Sequence, residues 1–264
     1  MPLTAFQREV FATLRGGRSA ESFVFGATVL NAEPGTPRYS RDIDLCHTAE
    51  EAVAASALAD EAALGSAGFR VRWLLRLPTF QRAEVSNDRG NVKLEWAFDS
   101  AFRFFPVEAD DELGYRLHYF DAATNKVLAL CARAEARDFV DAIHLDEHYL
   151  PLGALAWAAA GKDEGLNPHL ILELADRFTH YRQTEIDALD LRVPLSLPEL
   201  KRTWTRALER ARRLVNELPG GEVGVAYLDP VSSLPVSPNA TGTDFGALIR
   251  HRGRVGGAWP VIRE

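Results

Sequence analysis

The chain has 264 residues, enough for one large domain or two modest ones, and its 47% hydrophobic and 25% charged content is that of an ordinary globular protein. A formal net charge of −7 argues against a protein wholly devoted to coating nucleic acid, although a local basic patch can override it. No apolar run reaches the length that spans a bilayer, no secretion-signal pattern opens the chain, and Cys46 and Cys131 form no metal-binding spacing, so a reducing cytoplasm is the expected setting.

Thr4-Ala5-Phe6-Gln7 reads as a capping box, and Leu3, Phe6, Val10 and Leu14 follow helical spacing until Gly16-Gly17 stops the helix. A strand over 22–25, a helical turn after Gly26 and a strand over 41–46 come next. Thr48-Ala49-Glu50-Glu51 is a second candidate capping box, opening an alanine-rich helix that ends near Gly65 or Gly68. Phe69, Val71, Trp73, Leu75 and Leu77 alternate with Arg70, Arg72 and Arg76, which predicts a strand. A strand near 80–86, the turn Asn87-Asp88-Arg89-Gly90 and a strand with Val92, Leu94, Trp96 and Phe98 on one face form a predicted hairpin. A last strand over 115–120 completes a mixed sheet.

Beyond Asp121 the pattern is helical almost to Pro219, with Asn167-Pro168 as a cap and first-turn pair and Ser196-Leu197-Pro198-Glu199 as a capping box. From Pro219 periodicity is weak and glycine and proline are frequent, which predicts loops and a tail. The expected organisation is α/β (α+β): an α/β core over 1–120, a helical domain over 121–218 and an irregular segment over 219–264. No internal repeat is visible.

Chemistry is concentrated at Ser40-Arg41-Asp42-Ile43-Asp44-Leu45. In a strand, residues i and i+2 share a face, so Asp42 and Asp44 project together while Ile43 and Leu45 enter the core. Two neighbouring carboxylates repel, and a hard divalent cation relieves that repulsion. Upstream, Phe23-Val24-Phe25-Gly26-Ala27-Thr28 ends a strand at a glycine, where backbone can approach a phosphate closely. An isolated Asp-x-Asp is common at exposed strand ends; the combination with the glycine turn is far more specific.

That combination, Phe-Gly-Ala-Thr-x-Leu followed by Arg38-Tyr39-Ser40-Arg41-Asp42-Ile43-Asp44, resembles the nucleotidyltransferase superfamily of DNA polymerase beta and, within it, the AbiEii-type toxins of type IV toxin–antitoxin systems. The resemblance implies a polymerase-beta-like mixed sheet followed by helices. It implies a phosphate turn at Gly26, Ala27 and Thr28, with Arg38 and Ser40 beside it, and Mg²⁺ or Mn²⁺ on Asp42 and Asp44. Superfamily members often carry serine where Ala27 stands, so Thr28 is expected to supply the phosphate-contacting hydroxyl. A third carboxylate is expected from Val92-Lys93-Leu94-Glu95-Trp96, where Glu95 lies opposite the buried positions; an ordinary glutamate paired with a neighbouring lysine or arginine is the alternative.

The run from Asn125-Lys126 to Arg137-Asp138-Phe139-Val140-Asp141 resembles the family's later motifs. By that match Lys126, Asp138 and Asp141 carry over as active-site residues, and Arg133 and Arg137 as phosphate contacts. An amphipathic helix pair with a surface Arg137–Asp141 pair is the plainer reading. The resemblance covers residues 20–145 well and the remainder only in helical character.

The implied reaction is nucleotidyl transfer from a nucleoside triphosphate, with Glu95 or Asp141 taking the proton. The implied acceptor is the 3′ end of tRNA, with an antitoxin as partner and no membrane. Residues 199–217, with Lys201, Arg202, Arg206, Arg210, Arg212 and Arg213, could form an RNA rail with Trp204 for stacking, or a solvated face over Leu200, Leu208 and Leu214; further arginines lie at 250, 252, 254 and 263. Rival readings are transfer to a protein or to a small molecule such as an aminoglycoside antibiotic, and a non-catalytic nucleotide-binding module. His144-Leu145-Asp146-Glu147-His148 also matches H-x-x-E-H, an inverted zinc-protease motif, without a recognisable third ligand.

Overall fold

The capping box at Thr4 forms as read: Gln7 N donates to Thr4 Oγ1 (3.1 Å) and Thr4 N to Gln7 Oε1 (2.9 Å), opening α1 (Ala5–Leu14). The computed structural model describes residues 3–260, with only the backbone at residues 178 and 179. The chain divides into two compact units, Met1–Ala101 with Pro106–Ala122, and Phe102–Phe105 with Ala123–Glu264.

In the first unit, β1 (Ser22–Val24), α2 (Gly26–Asn31), β2 (Asp42–His47), α3 (Glu50–Ser66), β3 (Arg70–Arg76), β4 (Phe80–Asn87) and β5 (Gly90–Phe98) follow in order. β6 (Phe102–Arg103) belongs to the second unit, and β7 (Glu108–Asp110) and β8 (Gly114–Arg116) return to the first. They form a mixed seven-stranded sheet ordered β3-β4-β5-β2-β1-β8-β7, in which β2 runs parallel to β5 and antiparallel to β1.

The core of this unit is where α1 and α3 cover one sheet face. Val10, Phe11, Leu14, Ile43, Leu45, Val53, Leu64, Leu94 and Trp96 are all buried, each contributing on the order of 1.5–3 kcal/mol. The Trp96 indole donates to Asp60 Oδ2 (2.8 Å), and Arg18 pairs with Asp60 Oδ1 (2.5 Å). Burial raises the Asp60 carboxyl despite the opposing Arg18 charge.

The second unit holds the rest of α4 (Tyr119–Arg133), then α5 (Ala136–His148), α6 (Leu152–Ala159), α7 (Pro168–Ala175), α8 (Gln183–Asp187) and α9 (Leu197–Glu217). Asn167 caps α7 as expected, accepting from Leu170 N (3.0 Å). Among the described residues, no helix is long and apolar enough to cross a membrane.

Several sequence expectations are corrected. Thr48 and Ser196 cap no helix with their side chains. Thr48 N donates to Glu21 O (3.2 Å), beside β1, and Ala49 takes the N-cap position of α3. The strand expected over 115–120 stops at Arg116, and Tyr119 already begins α4. β3 carries a bulge between Trp73 and Leu75, so its alternation breaks, and Leu74 and Leu75 on this edge strand, with Leu77 just beyond it, stay exposed. The segment after 219 is not irregular throughout: β9 (Val225–Leu228) pairs with β10 (Ile249–Arg252), and β11 (Arg254–Val255) with β6. β9 is apolar and wholly buried, too short for its periodicity to show, and its partner is distant in sequence. Arg263 lies outside the described residues.

Candidate active site

The alternation of β2 is as read: Ile43 and Leu45 are buried, while Asp42 and Asp44 are half-buried on the opposite face. Phe25 N donates to Asp44 O (3.1 Å), bringing the end of β1 against the acidic strand. Gly26 adopts φ +68°, and a Cβ there would lie 2.5 Å from Asp44 Oδ2 and 3.2 Å from Asp44 Cγ. Only glycine meets both the left-handed backbone and the close approach.

Three buried side chains fix the start of β2. Thr28 Oγ1 donates to Asp42 O (3.0 Å), Ser40 Oγ donates to the same carbonyl (2.9 Å), and Gln7 Nε2 donates to Ser40 O (2.7 Å). Thr28 is fully buried, so its hydroxyl positions the acidic strand, a different task from the phosphate contact expected of it. Arg38 is also buried, donating to Tyr39 O (3.1 Å), and Ala27 is half-buried in α2.

The parallel pairing of β2 with β5 places Asp44 opposite Glu95 and Asp42 opposite Lys93. β4 adds Arg82 opposite Glu95 and Glu84 opposite Lys93. Two charged rows therefore cross the open face, Arg82–Glu95–Asp44 and Glu84–Lys93–Asp42. Glu95 Oε1 accepts from Arg82 Nε at 2.7 Å, so the carboxylate expected beside Asp44 is in register there but held by an arginine. Arg82 carries no motif, but counting outward from the Asn87–Gly90 turn pairs it with Glu95.

Among the described residues, no group of three His, Cys, Asp or Glu side chains could hold a metal ion unaided. Magnesium does not require one: it keeps several waters and is held by one or two carboxylates plus substrate phosphates. Asp42 and Asp44 offer hard oxygen donors on one face, with glycine backbone packed against the second, and they fit such an ion.

The second unit gathers the later motif into one buried network. Lys126 Nζ lies 2.8 Å from Asp138 Oδ1 and 3.0 Å from Asp141 Oδ2. Arg133 grips Asp138 through Nε (2.6 Å) and Nη2 (3.0 Å). Burial alone would raise the Asp138 carboxyl, but the hydrogen bonds and charges of Arg133 and Lys126 hold it down at about 2. Arg137 pairs with Glu135 through Nε (2.6 Å).

The RNA rail on α9 needs revision. Trp204 is fully buried, its indole donating to Ala175 O (3.1 Å) and its ring edge-on to Phe139, so it offers nothing for stacking. Arg210 pairs with buried Asp146 and Arg212 with Asp176, each at 2.6 Å. His144 and His148 stack at 4.5 Å, and His148 Nδ1 lies 3.2 Å from His144 O.

A family model, "Nucleotidyl transferase AbiEii toxin, Type IV TA system", matches residues 12–220. Among solved structures, JHP933 from Helicobacter pylori is similar at 17% identity and a TM-score of 0.54, covering 80% of this chain and 92% of that one. MenT4, a nucleotidyltransferase toxin from Mycobacterium tuberculosis H37Rv, is similar at 15% identity and a TM-score of 0.57, covering 82% and 83%. These likenesses show the mixed α/β fold. No curated protein matches the sequence.

Proposed function

Because the chain belongs to the AbiEii nucleotidyltransferase toxin family and is therefore a nucleotidyltransferase, we propose that it transfers a nucleoside monophosphate from a nucleoside triphosphate to the 3′ end of RNA, tRNA foremost, in the cytoplasm, arresting translation until an antitoxin opposes it. The observation that carries this reading is the face shared by Asp42 and Asp44, with Gly26 packed against Asp44.

Asp42 and Asp44 hold Mg²⁺ or Mn²⁺, with Glu95 on the neighbouring strand as the third carboxylate. Such an ion, when bound, supplies charge to the α-phosphate and to the departing pyrophosphate. Backbone N–H groups following Gly26 hold the terminal phosphates. Thr28, Ser40 and Gln7 keep Asp42 in place through its carbonyl and that of Ser40. The acceptor hydroxyl attacks the α-phosphorus, the bond to the bridging oxygen breaks and pyrophosphate leaves. Asp141 is buried on Lys126, so the acceptor's proton goes to Glu95.

Of the two cations on Asp138, Arg133 is 44% exposed and Lys126 only 5%. Arg133 therefore meets phosphate, with Arg137 beside it, while Lys126 holds Asp138 and Asp141 in place. Incubation with each α-labelled nucleoside triphosphate, Mg²⁺ and total tRNA tests the acceptor. Label in RNA is the expected result. Label confined to protein or to an added aminoglycoside would replace the RNA reading, and no label anywhere would leave a binding module.

A further inference from the structure

Glu95 stands between two groups that want the same carboxylate. On one side, parallel pairing puts it in register with Asp44; on the other, the β4–β5 hairpin puts Arg82 in register with it. Neighbouring strands lie about 4.8 Å apart, so all three side chains are within reach on one face. The carboxylate takes the arginine, at 2.7 Å, and no metal-holding trio forms among the described residues.

The Arg82 guanidinium lies 5.1 Å from the Phe80 ring centroid. That ring faces the cation whether or not Glu95 does, so Arg82 retains a favourable neighbour if the carboxylate departs. The pair is partly exposed, 39% for Arg82 and 18% for Glu95, so breaking it leaves neither charge sealed from water.

We propose that Arg82 is a positioning residue that holds Glu95 away from Asp42 and Asp44 until a divalent cation is present, and that Glu95 then exchanges the guanidinium for the cation. The proposal rests on the metal reading of Asp42 and Asp44. It lowers the number of like charges that face one another before loading: Glu95 is neutralised by Arg82, and Asp42 lies in register with Lys93. The released guanidinium lies on the β4 side of the carboxylates, whereas the Gly26 turn lies on the β1 side. Arg82 is thus separated from the phosphates held at Gly26.

The test is Mn²⁺ binding to the full chain without nucleotide, followed by the electron paramagnetic resonance signal of free Mn²⁺. Arg82→Gln frees Glu95 and is expected to bind Mn²⁺ about fivefold more tightly, the scale of a partly exposed ion pair. Arg82→Lys, which keeps a cation without the planar fork, is expected to fall between. Glu95→Gln is expected to bind less tightly than wild type. Arg82→Gln combined with Glu95→Gln is expected to show none of the gain.

Equal or weaker Mn²⁺ binding by a folded Arg82→Gln would overturn the exchange. A gain that survives in the double variant would do the same, since it would come from general charge and not from Glu95. Failure of the underlying metal reading looks different: Mn²⁺ binding, in every variant, would then be indifferent to Asp42→Asn and Asp44→Asn.

Discussion

Gly26 and Asp44 are packed so closely that a methyl group on the first would lie 2.5 Å from Oδ2 of the second. The contact joins the turn after β1 to the acidic face of β2, and it sits on a backbone with φ +68°. Gly26→Ala is expected to cost about 1–2 kcal/mol in backbone strain. It also displaces the Asp44 carboxylate, and misplacement of about 1 Å can cost on the order of 100-fold in rate. A folded Gly26→Ala variant with wild-type transfer would show that the contact is incidental.

Asp42→Asn and Asp44→Asn each keep the shape of the site and remove one charge. Each is expected to abolish transfer, with thermal stability unchanged or slightly raised because repulsion on the face is relieved. Melting curves and label transfer on the same preparations check both halves.

Lys126 is buried between Asp138 and Asp141, so Lys126→Ala does more than remove a functional cation. It leaves buried carboxylates short of a partner, a loss typically worth about 3–5 kcal/mol. Burial makes this variant a test of stability as well as of transfer. Lys126→Met combined with Asp141→Asn is expected to recover much of the stability without restoring transfer, as read by urea melts. Asp138, held at about 2, adds stability that is present above its unfolded value near 4 and is lost as pH falls toward 2.

His47 is fully buried, with Nε2 3.1 Å from Ser22 Oγ. Burial, aided by the Arg18 charge, lowers it from 6.5 to about 4. Between those values the unfolded chain takes up a proton that the folded one refuses, so stability falls as pH drops from 6.5 to 4. The full effect is about 3 kcal/mol. Denaturant midpoints across this range should fall for wild type and lose part of that slope in His47→Gln; parallel slopes would exclude His47 as the source.

On α9, Arg210 and Arg206 are not equivalent. Arg210 holds Asp146, whose other oxygen accepts from Leu152 N at 2.8 Å, so Arg210→Glu is expected to destabilise the second unit. Arg206 and Arg213 are exposed on the same helix, and charge reversal there tests RNA contact without that damage. If RNA labelling is unchanged in Arg206→Glu with Arg213→Glu, α9 does not serve as a rail.

What was legible in the sequence was what local rules determine. The Asp42/Asp44 face follows from strand alternation, the Thr4 and Asn167 caps from side-chain chemistry, and the 87–90 hairpin from its turn residues. Illegible features depended on partners distant in sequence. Trp204 reads as an aromatic in a basic helix until Phe139 and Ala175 close over it. Thr28 reads as a phosphate contact until the Asp42 carbonyl takes its hydroxyl. The buried Lys126–Asp138–Asp141 network looks, in sequence, like charged helix faces.

The most direct measurement follows α-labelled nucleoside triphosphate and total tRNA with Mg²⁺, comparing wild type with Asp44→Asn. Label joined to RNA with release of pyrophosphate in wild type, and neither in Asp44→Asn, is the expected result. Equal labelling by the two proteins would contradict a reaction centred on the acidic face of β2.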